Sequence, residues 1–257
     1  MVQQLAYLGV KRYTVMDHDL IEDTNLNRLV GASVKDLDPP VSKIANSTRM
    51  IRSIRHEEDR SIKSIAQRFP SEECIKALEE VDIIFGCVDS DGPRLILTEF
   101  SSAYEKPYFD LATEVHPQYK TFGGRIFCSI PGRSCLHCRG ELSIEEIRRD
   151  LQSDAEARED ETIYGVDRSA LNGSGPSVVS INGIIASYAV NEFMVYVTGI
   201  QEPKELLVYD GSLSIVKNNR DARSNNCYYC TFVKGMKGQA NIERYIPAKK
   251  EIDTLPK

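Results

Sequence analysis

Val81-Asp82-Ile83-Ile84-Phe85-Gly86-Cys87-Val88-Asp89 is a short apolar run closed by an acid, and its reading decides the fold class. Such a run, with no regular polar alternation, suits a strand buried on both faces of a parallel sheet. Asp91-Gly92-Pro93 then opens a helix, with proline placed where its missing N–H costs little. Leu95, Ile96, Phe100 and Ala103 supply that helix with an apolar side, and Pro107-Tyr108-Phe109-Asp110-Leu111 follows as the next strand. Upstream, Tyr13-Thr14-Val15-Met16 reads as a strand ending at Asp17-His18-Asp19. Residues 42–55 read as a helix, with Ala45, Thr48, Ile51 and Ile54 near one face. Strand and helix in alternation predict a doubly wound α/β sheet. Ligands of such sheets sit beyond the carboxyl ends of the strands, which is where Asp17, Asp19 and Asp89 fall.

The second half has a different character. Thr121 to Pro131 reads as a strand with a break at Gly123-Gly124, and residues 141–168, dense in Glu, Asp and Arg, as an exposed helix followed by a mobile crossover. Ser177 to Gly199 is the longest helical candidate, with Gly199 as its stop. Leu206–Tyr209 and Leu213–Val216 flank Asp210-Gly211, a hairpin signal, and the polar tail from Glu243 to Lys257 is expected to be loosely held.

The totals exclude several classes. A net charge of −6 without an extended basic run argues against broad nucleic-acid binding. No apolar run approaches the ~18 residues of a membrane span. The start, Met1-Val2-Gln3-Gln4, has no basic region followed by an apolar stretch, so a cytoplasmic protein is expected. Of seven cysteines, four form two C-x-x-C pairs, Cys135 with Cys138 and Cys227 with Cys230. Four thiolates in this arrangement match a tetrahedral structural Zn²⁺ site that tertiary folding must assemble. Two unrelated reduced pairs, or a redox pair, are the alternative. Cys74, Cys87 and Cys128 read as small buried hydrophobes, and His137 as a loop residue rather than a ligand.

Gly9-Val10 and the segment Asp17-His18-Asp19-Leu20-Ile21-Glu22-Asp23-Thr24-Asn25-Leu26-Asn27-Arg28 resemble the pattern G-V … D-x-D-x-V/I-E-x-x-N-L-N-R of the ThiF/MoeB/HesA family of ubiquitin-activating-enzyme-like adenylyltransferases. Asp82-Ile83-Ile84 … Val88-Asp89 … Arg94, Lys43 after a Pro-rich stretch, the two cysteine pairs, and Pro176 to Gly183 extend the resemblance over residues 5 to 232. It implies a Rossmann-like sheet with a zinc-stapled antiparallel extension. Residues 1–131 would form the nucleotide-binding half, and residues 132–257 the crossover, long helix and last strands. It also implies ATP, Mg²⁺ and Zn²⁺ as cofactors. Asp17 and Asp19 would lie at the nucleotide, with Asp17 on the ribose hydroxyls. Asn25 and Arg28 would contact phosphates, Lys43 would reach the nucleotide, and Asp89 would hold Mg²⁺. Arg28 and Asp89 would carry the chemistry.

The implied reaction is adenylylation of the C-terminal carboxylate of a ubiquitin-like or sulfur-carrier protein with a Gly-Gly tail, by a homodimer. Between Cys138 and Cys227 the sequence has no cysteine, so no thioester step is expected. The family opens with a strand and a G-x-G-G-x-G-S phosphate loop. This sequence begins within the helix that follows, at about Leu5-Ala6, so the expectation is a truncated form or a piece supplied by another chain. Leu29 stands where many relatives carry Gln, which removes one polar contact. Two other classes compete. One is a non-catalytic binding module that keeps fold and zinc but binds ATP poorly. The other is an NAD-dependent oxidoreductase, which would need a G-x-G-x-x-G after a strand and leaves the N-L-N-R segment without a role.

Overall fold

The computed structural model describes residues 1–152, 177–219 and 226–246. The first helix, α1 (Val2–Tyr7), leads into strand β1 (Arg12–Met16). Helix α2 (Lys43–Ile54) starts on Ser42, whose hydroxyl accepts the Ala45 N–H. Strand β2 (Ser61–Ile65) then pairs in parallel with β1, Arg12 opposite Ser61 and Met16 opposite Ile65. Helix α3 (Glu72–Glu80) is capped by Ser71 and carries Glu72 and Glu73 in its first turn, where the helix dipole favours them. Neither β2 nor α3 was expected from the sequence. Ser-Ile-Lys-Ser-Ile is short and half polar, so its periodicity is weak.

Strand β3 (Ile84–Gly86) is shorter than the apolar run suggested. Helix α4 (Asp91–Tyr104) connects it to β4 (Tyr108–His116), which pairs in parallel with β3. Strand β5 (Thr121–Ser129) returns antiparallel to β4, and the ladder runs without interruption through Gly123 and Gly124. The expected break is therefore absent. These glycines answer a packing need instead: a Cβ on Gly123 would strike the Tyr209 carbonyl, and one on Gly124 the Ala112 carbonyl. Helix α5 (Ile144–Leu151) is exposed as expected, while the expected crossover at 153–168 lies outside the described residues. Helix α6 (Val179–Thr198) ends on Gly199 with φ +65°, the left-handed cap its residue type allows. Strands β6 (Leu206–Asp210) and β7 (Ile215–Asn218) form the hairpin. Their register sets Asp210 opposite Ile215, so the turn is Gly211 to Ser214 rather than Asp210-Gly211 alone.

The strands form two groups, β1-β2 and β3-β4-β5-β6-β7, in a mixed α/β fold. Alternation along β4 and β5 builds a core on each face. Tyr108 and Phe127 point to one side with Ile96, Leu97 and Phe100 of α4 and Leu206 of β6. Phe109, Ile126 and Cys128 point to the other, against Ile185 and Ala189 of α6. Leu5, Tyr13, Ile51 and Val190 make a third cluster, and Phe85 of β3 packs against it. The tail is better held than its polarity suggested. Glu99 is 1% exposed. Arg244 Nη2 donates to both of its carboxylate oxygens at 2.6 and 2.7 Å, and the Tyr245 hydroxyl adds a bond of 2.8 Å. Residues 247–257 lie outside the described residues.

Candidate functional site

A cleft of about 3270 Å³ runs along β1 and β3 and past their carboxyl ends. Asp17, Asp19, Asn25, Arg28, Lys43 and Asp89, the six residues expected at a nucleotide, all line it. They reach it from four loci that only folding brings together.

Asp17 ends β1, and its N–H donates to the Ile65 carbonyl of β2 at 3.2 Å. Its Oδ1 accepts the Asp19 N–H at 2.9 Å, a tight turn that leaves the other oxygen free of this bond. Asp19 accepts from Lys43 Nζ at 2.6 Å and lies 3.3 Å from His18 Nε2. The hydrogen bond from Lys43 holds the Asp19 carboxyl below its ordinary range, against a smaller opposing effect of burial. Lys43 is the first residue of α2, and its N–H donates to the Asp19 carbonyl at 3.0 Å, so backbone and side chain bind the same acid.

Asn25 is buried, and its Oδ1 accepts the Glu22 N–H at 3.1 Å within a short 3₁₀ turn, Asp23–Asn25. That bond directs the carbonyl oxygen inward and leaves the amide NH₂ as donor. Arg28 Nη1 donates to the Thr24 carbonyl and, at 3.4 Å, to Asn27 Oδ1. Nε and Nη2 remain outside these bonds. The same segment holds the start of α6, since the Val179 N–H donates to the Asn27 carbonyl at 3.2 Å. Asp89 is exposed beyond β3, and among the described residues its carboxylate has no hydrogen-bond or ion-pair partner. The acid two residues on, Asp91, is the engaged one. It is buried, accepting from Arg94 Nη1 at 2.8 Å and from the Ser143 N–H at 2.7 Å. Arg94 is thus a brace, and it also donates to the Val88 carbonyl at 2.8 Å.

Behind this rim lies a charge network absent from the sequence-based expectations. Asp110, fully buried in β4, accepts from Arg125 Nη1 at 2.7 Å and from the Tyr108 hydroxyl at 2.7 Å. Arg94 Nε lies 3.4 Å from it, and Arg125 Nε lies 3.1 Å from Glu141. Burial, and then the charge of Asp110, push the Tyr108 hydroxyl well above its ordinary pKa, so it remains a donor. Arg68 also lines the cleft, and its charge helps to keep Asp19 ionised. Only the period-2 placement of Asp110 and Arg125 on opposed strands could have signalled the first network, and that requires the register.

The four paired cysteines converge at the far end of β5. Sγ–Sγ distances are 3.8 Å for Cys135–Cys138, 3.6 Å for Cys135–Cys227 and 3.9 Å for Cys138–Cys230. Sulfurs ~2.3 Å from a tetrahedral ion would lie roughly 3.8 Å apart, so this donor set fits Zn²⁺. The Cys135 N–H also points at Cys138 Sγ, 3.2 Å away. The hydrogen bond between the two thiols lowers Cys138 and raises Cys135. His137 packs edge-on against Tyr229 at 5.1 Å, with Nδ1 3.9 Å from Cys227 Sγ. Cys74 and Cys128 are buried, as expected, whereas Cys87 is exposed. No helix among the described residues is long and apolar enough to cross a membrane.

A family model described as "ThiF family" matches residues 1–230. A search of curated proteins finds no match. Among solved structures, E. coli MccB with ATP aligns at TM-score 0.62 and 18% identity, covering 89% of this chain and 61% of that one. The microcin C7 biosynthetic enzyme MccB, in complex with N-formylated MccA, aligns at 0.63 and 19%, covering 89% and 62%. PaaA aligns at 0.57 and 16%, covering 84% and 66%. The chain therefore spans less than two thirds of the length of these structures, and the likeness is one of fold.

Proposed function

This chain belongs to the ThiF family, and from that premise we propose that it adenylylates the C-terminal carboxylate of a peptide or protein, using ATP. The carboxylate oxygen attacks the α-phosphorus, the bond to the bridging oxygen breaks, and pyrophosphate leaves with its electron pair. The products are an acyl-adenylate and pyrophosphate. Negative charge moves onto phosphate oxygens as the bond breaks, so the site needs fixed donors and cations there.

The observation that carries this reading is that six residues from four loci line one cleft. In the proposal the free oxygen of Asp17 accepts from a ribose hydroxyl. The inward-turned Oδ1 of Asn25 leaves its NH₂ to donate to a phosphate, and Arg28 offers Nε and Nη2 to the same group. Lys43 pairs with Asp19 and exchanges that partner for phosphate oxygen. Asp89, exposed and without a partner among the described residues, is the carboxylate available to Mg²⁺, which when bound would neutralise phosphate charge. Zn²⁺ in the Cys135, Cys138, Cys227 and Cys230 cluster has a structural part.

The substrate we favour is a ubiquitin-like or sulfur-carrier protein with a Gly-Gly tail. MccB has been solved with AMPCPP and MccA together and with N-formylated MccA. No thioester follows, since no cysteine lies between Cys138 and Cys227. Homodimerisation belongs to the same reading, because α6 exposes the apolar side chains Val179, Met194 and Val197. A second reading, a fold-keeping module that binds ATP poorly, is favoured by one observation: the cleft's acids are divided between two groups of strands.

Pyrophosphate exchange into ATP, run with a panel of Gly-Gly-tailed carriers, separates the two. Exchange that depends on a carrier supports adenylylation. Its absence with every carrier, from a folded and zinc-loaded chain, overturns it.

A further inference from the structure

We propose that Arg125 receives the C-terminal carboxylate of the acceptor peptide or protein, and that Glu141 holds this place until the acceptor displaces it. The assignment deepens the adenylylation reading and rests on it. Both residues line the cleft, yet neither belongs to the set expected at the nucleotide.

The guanidinium of Arg125 offers donors on two sides. On one, Nη1 donates to Asp110 at 2.7 Å. Asp110 is fully buried and also accepts from the Tyr108 hydroxyl, so this partner is fixed. On the other, Nη2 donates to the Glu141 carbonyl at 3.2 Å, and Nε lies 3.1 Å from the Glu141 carboxylate. That side is answered by two oxygens from two different groups of one residue. The Glu141 side chain is 20% exposed, against 0% for Asp110, so Glu141 is the exchangeable partner. A free carboxylate presents both oxygens in one plane and matches the Nε–Nη2 fork with two parallel bonds.

The position suits the reaction. Arg125 stands on β5, and β4 separates it from β3, the strand that leads to Asp89. Arg94 links the two, since its Nε lies 3.4 Å from Asp110 and its Nη2 donates to the carbonyl of Val88, the residue before Asp89. One carboxylate oxygen can attack phosphorus while the other stays on the guanidinium. The segment after Glu141 is tied down independently. The Ser143 N–H donates to Asp91 at 2.7 Å, and the Gly92 N–H to Asp150 at 2.8 Å. The exchange therefore asks for a shift of Glu141 alone. A phosphate also fits a guanidinium fork. The carboxylate is favoured because this fork already holds one, and because Asn25, Arg28 and Lys43 offer phosphate donors elsewhere in the cleft.

The test uses the 257-residue chain and two short fluorescent peptides ending in Gly-Gly, one with a free carboxylate and one amidated. Binding is read by anisotropy without nucleotide. The acid should bind about 20-fold more tightly than the amide. Arg125→Lys keeps a charge for Asp110 but loses the fork, and should remove most of that preference. Glu141→Gln removes the competing carboxylate. It should tighten the acid about fivefold and leave the amide and ATP unchanged, a gain that a merely structural Glu141 would not produce. Equal affinity for acid and amide overturns the proposal. So does an acid preference that survives Arg125→Lys, or a Glu141→Gln chain that binds the acid no better or tightens ATP instead. Pyrophosphate exchange by the wild-type chain is measured alongside. Exchange without an acid preference refutes the Arg125 assignment alone, and an acid preference without exchange refutes adenylylation alone.

Discussion

The cysteine cluster and the cleft are both built from residues far apart in sequence, yet they are opposites in finish. At the cluster the ligand atoms already stand 3.6 to 3.9 Å apart, and three of the four cysteines are buried. At the cleft, the side chains hold partners that a ligand could replace. Lys43 is bound to Asp19, Arg28 to backbone carbonyls, and Asp89 is exposed. A structural metal centre must be closed and pre-assembled, because its binding energy is folding energy. A site that takes and releases a triphosphate needs partners that can be exchanged, since permanent ones would compete with substrate.

The comparison breaks first, and hardest, at the sulfurs. Cys135→Ser or Cys227→Ser should remove one bound zinc per chain and lower the thermal midpoint by roughly 10 °C or more, read by metal analysis and calorimetry. A zinc-free wild-type chain of unchanged midpoint would dissolve the contrast. Next comes the buried network between the two regions. Asp110→Asn leaves Arg125 and Arg94 without their common carboxylate and should cost ~3 kcal/mol in urea unfolding. At the cleft the effect should fall on rate rather than on stability. Asp89→Asn should reduce pyrophosphate exchange by about 100-fold while leaving stability within about 0.5 kcal/mol. If Asp89→Asn unfolds the chain, the acid is structural and the comparison loses its second term.

The smallest expected effect concerns Asp19. Its folded pKa is lowered, so its ion pair with Lys43 contributes stability above the unfolded value of 3.8, lost as pH falls through the folded value. The carboxylate is 46% exposed, so solvent screens the pair and the contribution should be only about 0.5 kcal/mol. Asp19→Asn should therefore destabilise slightly at pH 7 and progressively less as pH falls below 3.8, measured as denaturation midpoints. A deficit that persists in acid would mean that Asp19 acts through its turn rather than through its charge.

Much of this was legible from local pattern. The apolar run ending at Asp89, the helix opening at Asp91, the long helix stopped by Gly199 and the two C-x-x-C pairs all rest on neighbours in sequence. Strand β2 and helix α3 were missed, because Ser61–Ile65 is half polar and its burial comes from β1 rather than from its own composition. Arg244 and Tyr245 looked like loose tail until folding brought them to Glu99.

Residue types and spacing by themselves determined the α/β class, the candidate acids and cations, and the four sulfurs, since these depend on periodicity and on side-chain chemistry. Tertiary structure alone decided the rest. It set Asp91 rather than Asp89 as the buried acid, made Asp110 the centre of a network, carried β5 through Gly123 and Gly124, and left two strand edges facing one cleft. Each of these is a matter of register and burial between distant segments. Register follows from which faces meet in the core, and no stretch of sequence contains both of those faces.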